Sequence, residues 1–304
     1  MTVGETRGDS TAPVAGREGR GTAPRSVAPA VVQRRPGRAE RDHAGWVRRD
    51  RALQRVLALA LPMLLLVFWE VGAHLEWFDQ RFFSRPSAIW TRGVDLVREG
   101  ELQRQLGITT RRLLLGYFLG AGAGILLGLV MSQFRLARAA VEPTLRALYV
   151  IPKLALLPIL LLVFGLGEMP KVLFVALGVF FILAFSTLSA ASMVPGAYHE
   201  AASAYGLSRL QRFRWVVLPG ALPQIVAAMR LASGIGVLLV VAFEFVRSND
   251  GIGYLTWHAW ELFVADEMYV GIVTIAIFGV LFSALIGAVG NRLCPWAEDH
   301  GGRA

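Results

Sequence analysis

Cysteine and lysine are nearly absent from this sequence. The single cysteine, Cys294, excludes an intrachain disulfide framework and a cysteine-based metal cluster. The two lysines, Lys153 and Lys171, both follow proline, so there is no loop of the form Gly, four residues, Gly-Lys-Ser or Gly-Lys-Thr to cradle a nucleotide phosphate. The five histidines are scattered, no His-Glu-x-x-His run is present, and no Gly-x-Ser-x-Gly elbow presents a nucleophile. No enzyme site, metal site or cofactor of its own is therefore expected. Charge is scarce as well. Charged residues make up 17% of the 304 and hydrophobic residues 55%, against about 25% and about 45–50% in soluble domains. With a mean hydropathy of +0.51, the composition is that of a membrane protein. A net charge of +9 could suggest nucleic acid, but the basic residues gather in the N-terminal stretch and at the ends of apolar runs. The positive-inside rule accounts for that pattern without a nucleic-acid partner.

Residues 1–51 are rich in Gly, Ala, Pro and Arg and cannot bury enough apolar surface to offset chain ordering, so a disordered tail is expected. Its 11 Arg against 6 acidic residues (11 − 6 = 5) should hold it in the cytoplasm. Arg48-Arg49 before an apolar run resembles a twin-arginine export signal, yet the following run is long enough to span a bilayer and reads as an anchor.

Six spans are predicted within a membrane domain at 52–296: about 53–74, 109–134, 140–165, 169–193, 223–245 and 268–293. An even number returns the C-terminal tail, 297–304, to the cytoplasm. Pro62 should bend the first span, and Trp69 and Trp77 suit its far interface. Glu70 and His74 lie four apart on one face and can pair or border a substrate path. The connection 75–108 holds five Arg and five acids and is placed outside.

In the second span Gly116, Gly120, Gly124 and Gly128 recur every four residues. Such a stripe of small residues lets another helix approach closely, the main way helices hold together in lipid, so it is read as packing rather than as a ligand site. Pro152 and Pro158 should break the third span, and Lys153 is the lysine assigned to a span interior; a cation at that depth marks a functional site by default. Lys153 and Glu244 are the candidates for a substrate path, with Glu244 otherwise facing outer water or pairing with Arg247. Tyr254, Trp257 and Trp260, beside Asp250, Glu261, Asp266 and Glu267, suggest an interfacial helix on the outer side. Gly279, Ser283 and Gly287 repeat the small-residue device in the sixth span.

One long polar stretch, 198–219, interrupts the hydrophobic part of the chain. Its reading is two short helices: one closing at Gly206 in the left-handed conformation, the next opening at Ser208 with Gln211 as a capping box. Arg209, Arg212 and Arg214 against Glu200 place it in the cytoplasm. The run Glu200-Ala201-Ala202, three residues, Gly206, nine residues, Val216, one residue, Leu218-Pro219 resembles the EAA signature of ABC importer membrane subunits, with Val at a usual Ile position. Ile151 to Pro158 and Glu244 to Leu255, with Gly251-Ile252-Gly253-Tyr254-Leu255, are similar to the nitrate, sulfonate and taurine branch of those permeases.

The resemblance covers about 53–296. It implies an all-α type I permease bundle in the plasma membrane, working as a homodimer with two cytoplasmic ATPase subunits, which bind the ATP, and an extracytoplasmic substrate-binding protein. It further implies that Glu200 to Gly206 with Leu218 and Pro219 form the coupling helix, and that the solute is a small oxyanion or sulfonate, or else a thiamine-precursor-like heterocycle. An amphipathic loop on the membrane surface is the plainer reading of 198–219. An ion-coupled secondary transporter would show inverted repeats and midplane carboxylates, whereas here Glu70 and Glu244 lie near span ends.

Overall fold

The structure is a computed structural model that describes residues 43–77, 79 and 82–296, and the regular elements among these are all helical. Two compact units are distinguished, Met1–Ala60 and Leu61–Ala304. The described part of the first is the opening of α1 (His43–His74). The helix thus begins at His43, within the stretch read as a tail, because Ala and Arg from Ala44 to Arg55 are good helix formers. Expectations for 1–42 and 297–304 lie outside the described residues.

Leu61 to Phe68 of α1 are exposed apolar residues on every side of the helix, as for a helix surrounded by lipid. After it come α2 (Pro86–Arg98), α3 (Glu101–Gln133), α4 (Arg135–Val150), α5 (Leu157–Phe164), α6 (Glu168–Ser192), α7 (Gly196–Ala204), α8 (Arg209–Arg212), α9 (Leu218–Arg247), α10 (Ile252–Glu261) and α11 (Ala265–Leu293). Five stretches are long and apolar enough to cross a bilayer: Val56–His74, Glu101–Gln133, Glu168–Ser192, Arg209–Arg247 and Ala265–Leu293. A sixth arises if the bent pair Arg135–Val150 and Lys153–Phe164 counts as one. The chain is a multi-pass membrane protein.

The third expected span is not straight. α4 and the segment after it meet at 95°, because Pro152 has no N–H to donate and forces Ile151 into extended geometry (φ −61°, ψ 124°).

α3 and α6 form the most intimate contact. A β-carbon on Gly116 would lie 2.7 Å from the Val172 carbonyl oxygen, on Gly124 2.5 Å from that of Phe180, and on Gly128 2.6 Å from that of Ala184, while on Gly120 it would be driven closer still to that of Ala176. The four glycines therefore abut the backbone of α6 turn by turn. α9 covers the other side, with Tyr117, Phe174, Val240 and Phe243 in the shared core. The buried Tyr117 hydroxyl donates to the Met229 carbonyl at 2.8 Å, so this polar group enters the core with its hydrogen bond made.

Around this core, α10 packs its Ile252, Leu255 and Ala259 face inward and leaves Trp257 and Trp260 partly exposed. It packs on the bundle through one face and keeps an aromatic edge on the other. Glu70 pairs with His74 at 3.2 Å, as their spacing suggests. The same carboxylate accepts from the Ser87 amide and hydroxyl at 3.0 and 2.7 Å at the start of α2, where a negative charge suits the helix dipole. α2 is tied to α11 by Arg92 and Glu267 at 2.8 Å.

Gly120→Ala should destabilise the protein by about 1–3 kcal/mol, since the obstructing atom is backbone and cannot swing aside. Gly122, on the same helix with nothing within 4 Å of where a β-carbon would stand, serves as its control. Gly122→Ala should be neutral or stabilising by up to about 1 kcal/mol. Thermal melts of both variants in one detergent test the difference.

Candidate functional site

The polar stretch folds as a capped hairpin. α7 ends in a left-handed Gly206 (φ 69°), with the Gly206 amide donating to the Ser203 carbonyl and the Leu207 amide to the Ala202 carbonyl, both at 3.0 Å. This is a Schellman closure, and only a residue tolerant of positive φ fits it without strain. Ser208 then accepts from the Gln211 amide at 3.3 Å while its own amide donates to Gln211 Oε1 at 2.8 Å. That capping box starts α8, a π-helical turn Phe213–Val217 follows, and Leu218 opens α9 with Pro219 in its first turn, where a missing N–H costs nothing.

The hairpin base is anchored. Val217 joins Ala190, Ala191, Ala221 and Ile225 in a small apolar cluster, with Phe213 against it, so the end of α6 and the start of α9 move with the hairpin. Ala202 is buried, whereas Glu200, Ala201 and Gly206 are exposed. Tyr205 (85% exposed), Leu210 (75%) and Trp215 (67%) project as well, and three arginines face one acid. Exposed aromatics amid basic residues on an anchored protrusion have the makeup of a protein-docking surface.

α6 begins at Glu168 and ends beside the hairpin, a helix of 25 residues and roughly 37 Å. At that far end lies an ion cluster built around a buried arginine. Arg112 of α3, 1% exposed, grips Glu168 with two bonds, Nε at 2.7 Å and Nη2 at 2.6 Å. Its Nη1 donates to Glu244 Oε1 at 2.8 Å and to the Asp250 carbonyl at 2.9 Å, and its Nη2 also pairs with the Asp250 carboxylate. Lys171 joins through Glu168 at 2.7 Å and Asp250 at 3.4 Å. Two cations and three carboxylates leave a formal charge of −1 (2 − 3).

Glu244 is fully enclosed. It accepts further from Thr109 Oγ1 at 2.9 Å and from the Gly253 amide at 2.9 Å. A β-carbon on Gly251 would collide with its carboxylate, and one on Gly253 would sit 2.6 Å from its Cβ, so the Gly-Ile-Gly run lets backbone wrap around this side chain. Burial pushes the Asp250 carboxyl up, but the Arg112 guanidinium, the Lys171 ammonium and the Ser248 hydroxyl together hold the group below the usual aspartate range.

Two sequence expectations are corrected here. Glu244 neither faces water nor pairs with Arg247; its partner is Arg112, which lies 132 residues away in the chain. Lys171, too, lies inside a helix and is the more buried lysine, at 6% exposed. Lys153 is half-buried just after the break, its ammonium donating to the Tyr149 carbonyl and lying 4.3 Å from the Tyr149 ring and 5.2 Å from the Phe181 ring centroids. Lys153 and Glu244 are therefore in separate environments. Arg112 and Glu168 are absent from the sequence-based candidates, although an arginine buried in an apolar run is itself the signal for them.

Arg112→Ala should cost about 3–5 kcal/mol, because it strands the buried Glu244 carboxylate. Glu244→Gln leaves two cations facing two carboxylates and should cost distinctly less. The order of the two melting temperatures in detergent tests whether charge pairing, rather than bulk, holds this end.

The hairpin and the bundle around it match known proteins. The family model described as "Binding-protein-dependent transport system inner membrane component" matches residues 120–298. A putative aliphatic sulfonates transport permease protein, SsuC of Bacillus subtilis (strain 168), is 30% identical over 285 residues, 94% of this chain and 99% of that one. The taurine transport system permease protein TauC of Escherichia coli (strain K12) is 31% identical over 241 residues, 78% of this chain and 87% of that one. A crystal structure of a bacterial ABC transporter involved in the import of the acidic polysaccharide alginate shares the fold, with a TM-score of 0.56 at 14% identity over 84% of this chain and 97% of that chain. With more than half of the chain inside the family model and one relative aligned almost end to end, the chain belongs to the family of inner membrane components of binding-protein-dependent transport systems.

Proposed function

We propose that this chain is the membrane permease subunit of an ATP-driven importer for a small anionic solute of the sulfonate or taurine kind. Energy comes from separate ATPase subunits, and the solute is delivered by an extracytoplasmic binding protein. The observation that carries the reading is the anchored hairpin: an exposed, basic and aromatic protrusion fused to the ends of α6 and α9, on a chain with no phosphate-binding loop of its own. A groove on an ATPase subunit that moved this protrusion would move both helices with it. Glu200, Ala201 and Gly206 lie on its exposed side with Ala202 packed beneath them, and Leu218 and Pro219 form its exit.

The chain works as a homodimer, two copies flanking one path. Its termini are cytoplasmic: the arginine surplus of residues 1–51 favours that side, and counting α1, α3, the bent pair, α6, α9 and α11 as six spans returns the C-terminus to it. The hairpin then faces the cytoplasm and the Arg112 cluster the outside. The solute class is supported by the names of the sulfonate and taurine relatives and by their extensive overlap with this chain.

Gly206→Val places a β-branched residue at φ 69°, a strain of about 1–2 kcal/mol or more confined to an exposed turn. The variant should reach the membrane in normal amount, yet solute uptake should fall to the level of cells lacking the partner ATPase. Wild-type uptake in Gly206→Val counts against the coupling role, and uptake that persists without the ATPase sinks the importer reading.

A further inference from the structure

Between α4, α6 and α9, at the hairpin end of the bundle, a cavity of about 880 Å³ is lined by groups that none of the roles above uses. Its volume lies in the range of small-molecule sites. On α4, Arg138, Glu142 and Arg146 stand one turn apart. Glu142 accepts from Arg138 Nε at 2.7 Å and from Arg146 Nη2 at 2.6 Å, so one carboxylate serves two guanidinium groups. Neither Nη of Arg138, nor Nη1 of Arg146, has an acceptor among the described residues. Arg146 lies over the Phe185 ring at 5.5 Å, and Lys153 sits beside the cavity over Tyr149 and Phe181, which line it. Three cations against one acid give this region a surplus of +2 (3 − 1).

The facing wall of α6 presents Ser186, Ser189 and Ser192. The Ser192 proton is committed to the Leu188 carbonyl at 2.8 Å. Ser189 makes only a long contact to Met193 Sδ at 3.9 Å, and Ser186 has no partner among the described residues. Two hydroxyl protons therefore remain for a ligand. The rest of the wall, with Val150, Ile182, Leu231 and Ile235, is apolar.

We propose that this cavity binds an amphiphilic organic anion, its oxyanion head between the free Arg138 and Arg146 donors and the Ser186 and Ser189 hydroxyls, its short alkyl part along Val150, Ile182 and Ile235. The proposal rests on the permease reading and adds to it a solute site on the inner half of the path. The planar guanidinium fork matches a sulfonate or carboxylate with two parallel bonds. A compact inorganic dianion would surrender hydration against the apolar wall without compensation, so the wall selects for an alkyl substituent. An anionic phospholipid headgroup offers the same chemistry, and the experiment separates the two sources.

The full chain is reconstituted in phosphatidylcholine nanodiscs and titrated calorimetrically with pentanesulfonate, inorganic sulfate and pentylammonium. Pentanesulfonate should bind and the other two should not. Arg146→Gln, at a side chain 67% exposed and so outside the packed core, should bind about tenfold more weakly, the loss of one charge-assisted hydrogen bond. Glu142→Gln, which releases both arginines, should bind more tightly than wild type, an outcome that a purely structural triad does not give. No binding by the wild type, equal binding of pentylammonium, or indifference to both substitutions overturns the site. Loss of pentanesulfonate binding when phosphatidylglycerol is added assigns the cavity to lipid and overturns the solute assignment. ATPase-dependent uptake in cells, measured alongside, keeps the two ideas apart: if it persists in Arg146→Gln while binding fails everywhere, the permease reading stands and the cavity proposal falls.

Discussion

Between α3 and α6 there is no room for a β-carbon. At four successive turns a glycine of one helix lies against a carbonyl oxygen of the other, and in hydrocarbon, where burying apolar surface yields nothing further, such backbone proximity is what dispersion forces require. Because the four contacts run along both helices, they fix rotation and register together, and a slip by one residue would drive side chains into backbone. The placement of everything at either end of α6 follows. Glu168 is delivered to Arg112 at one end, and the hairpin leaves from the other.

The two ends are held by different physics. At the Glu168 end, directional bonds join α3, α6, α9 and the turn before α10 through one guanidinium. A buried cation is tolerable only when its donors are all engaged, and losing a partner costs far more than the pair gains. At the hairpin end, Ala190, Ala191, Val217, Ala221 and Ile225 meet through small, apolar and non-directional contacts. Small sliding movements cost least where no hydrogen bond must break. The apolar contacts thus tie the ends of α6 and α9 to the hairpin without directional bonds, while the Arg112 end holds its helices through directional ones.

Much of this is legible in the sequence, and the pattern of what is not is instructive. The glycine stripe and the Gly206–Ser208 caps are local: a period of four residues, or a glycine followed two positions later by serine, carries its own geometry. The ion cluster is not local. Arg111 and Arg112 read alike as flanking charges at a span edge, yet one is exposed and the other wholly buried; adjacent residues on a helix point in different directions, and only the partner helix decides which is inside. Glu244 stands out by the glycines that follow it, but its partner lies too far along the chain for any spacing rule. The Arg138, Glu142 and Arg146 triad is a simple repeat of four, and a straight span drawn from residue 140 obscures it by running across what proves to be a 95° bend.

That bend also separates two electrostatic environments. The Arg112 cluster carries a formal −1, nearly closed upon itself, whereas the region beside α4 carries a surplus of +2 with donors left open. α6 runs between them, with Glu168 at its first residue in the one and Phe181 to Ser192 along the other. An anion passing from the Arg112 end toward the hairpin would meet no open cationic site at the first, whose guanidinium is already engaged by carboxylates, and a receptive one at the second. On the proposed topology that asymmetry points inward, so the same charge placement that stabilises one end of the bundle leaves the other end free to receive the solute.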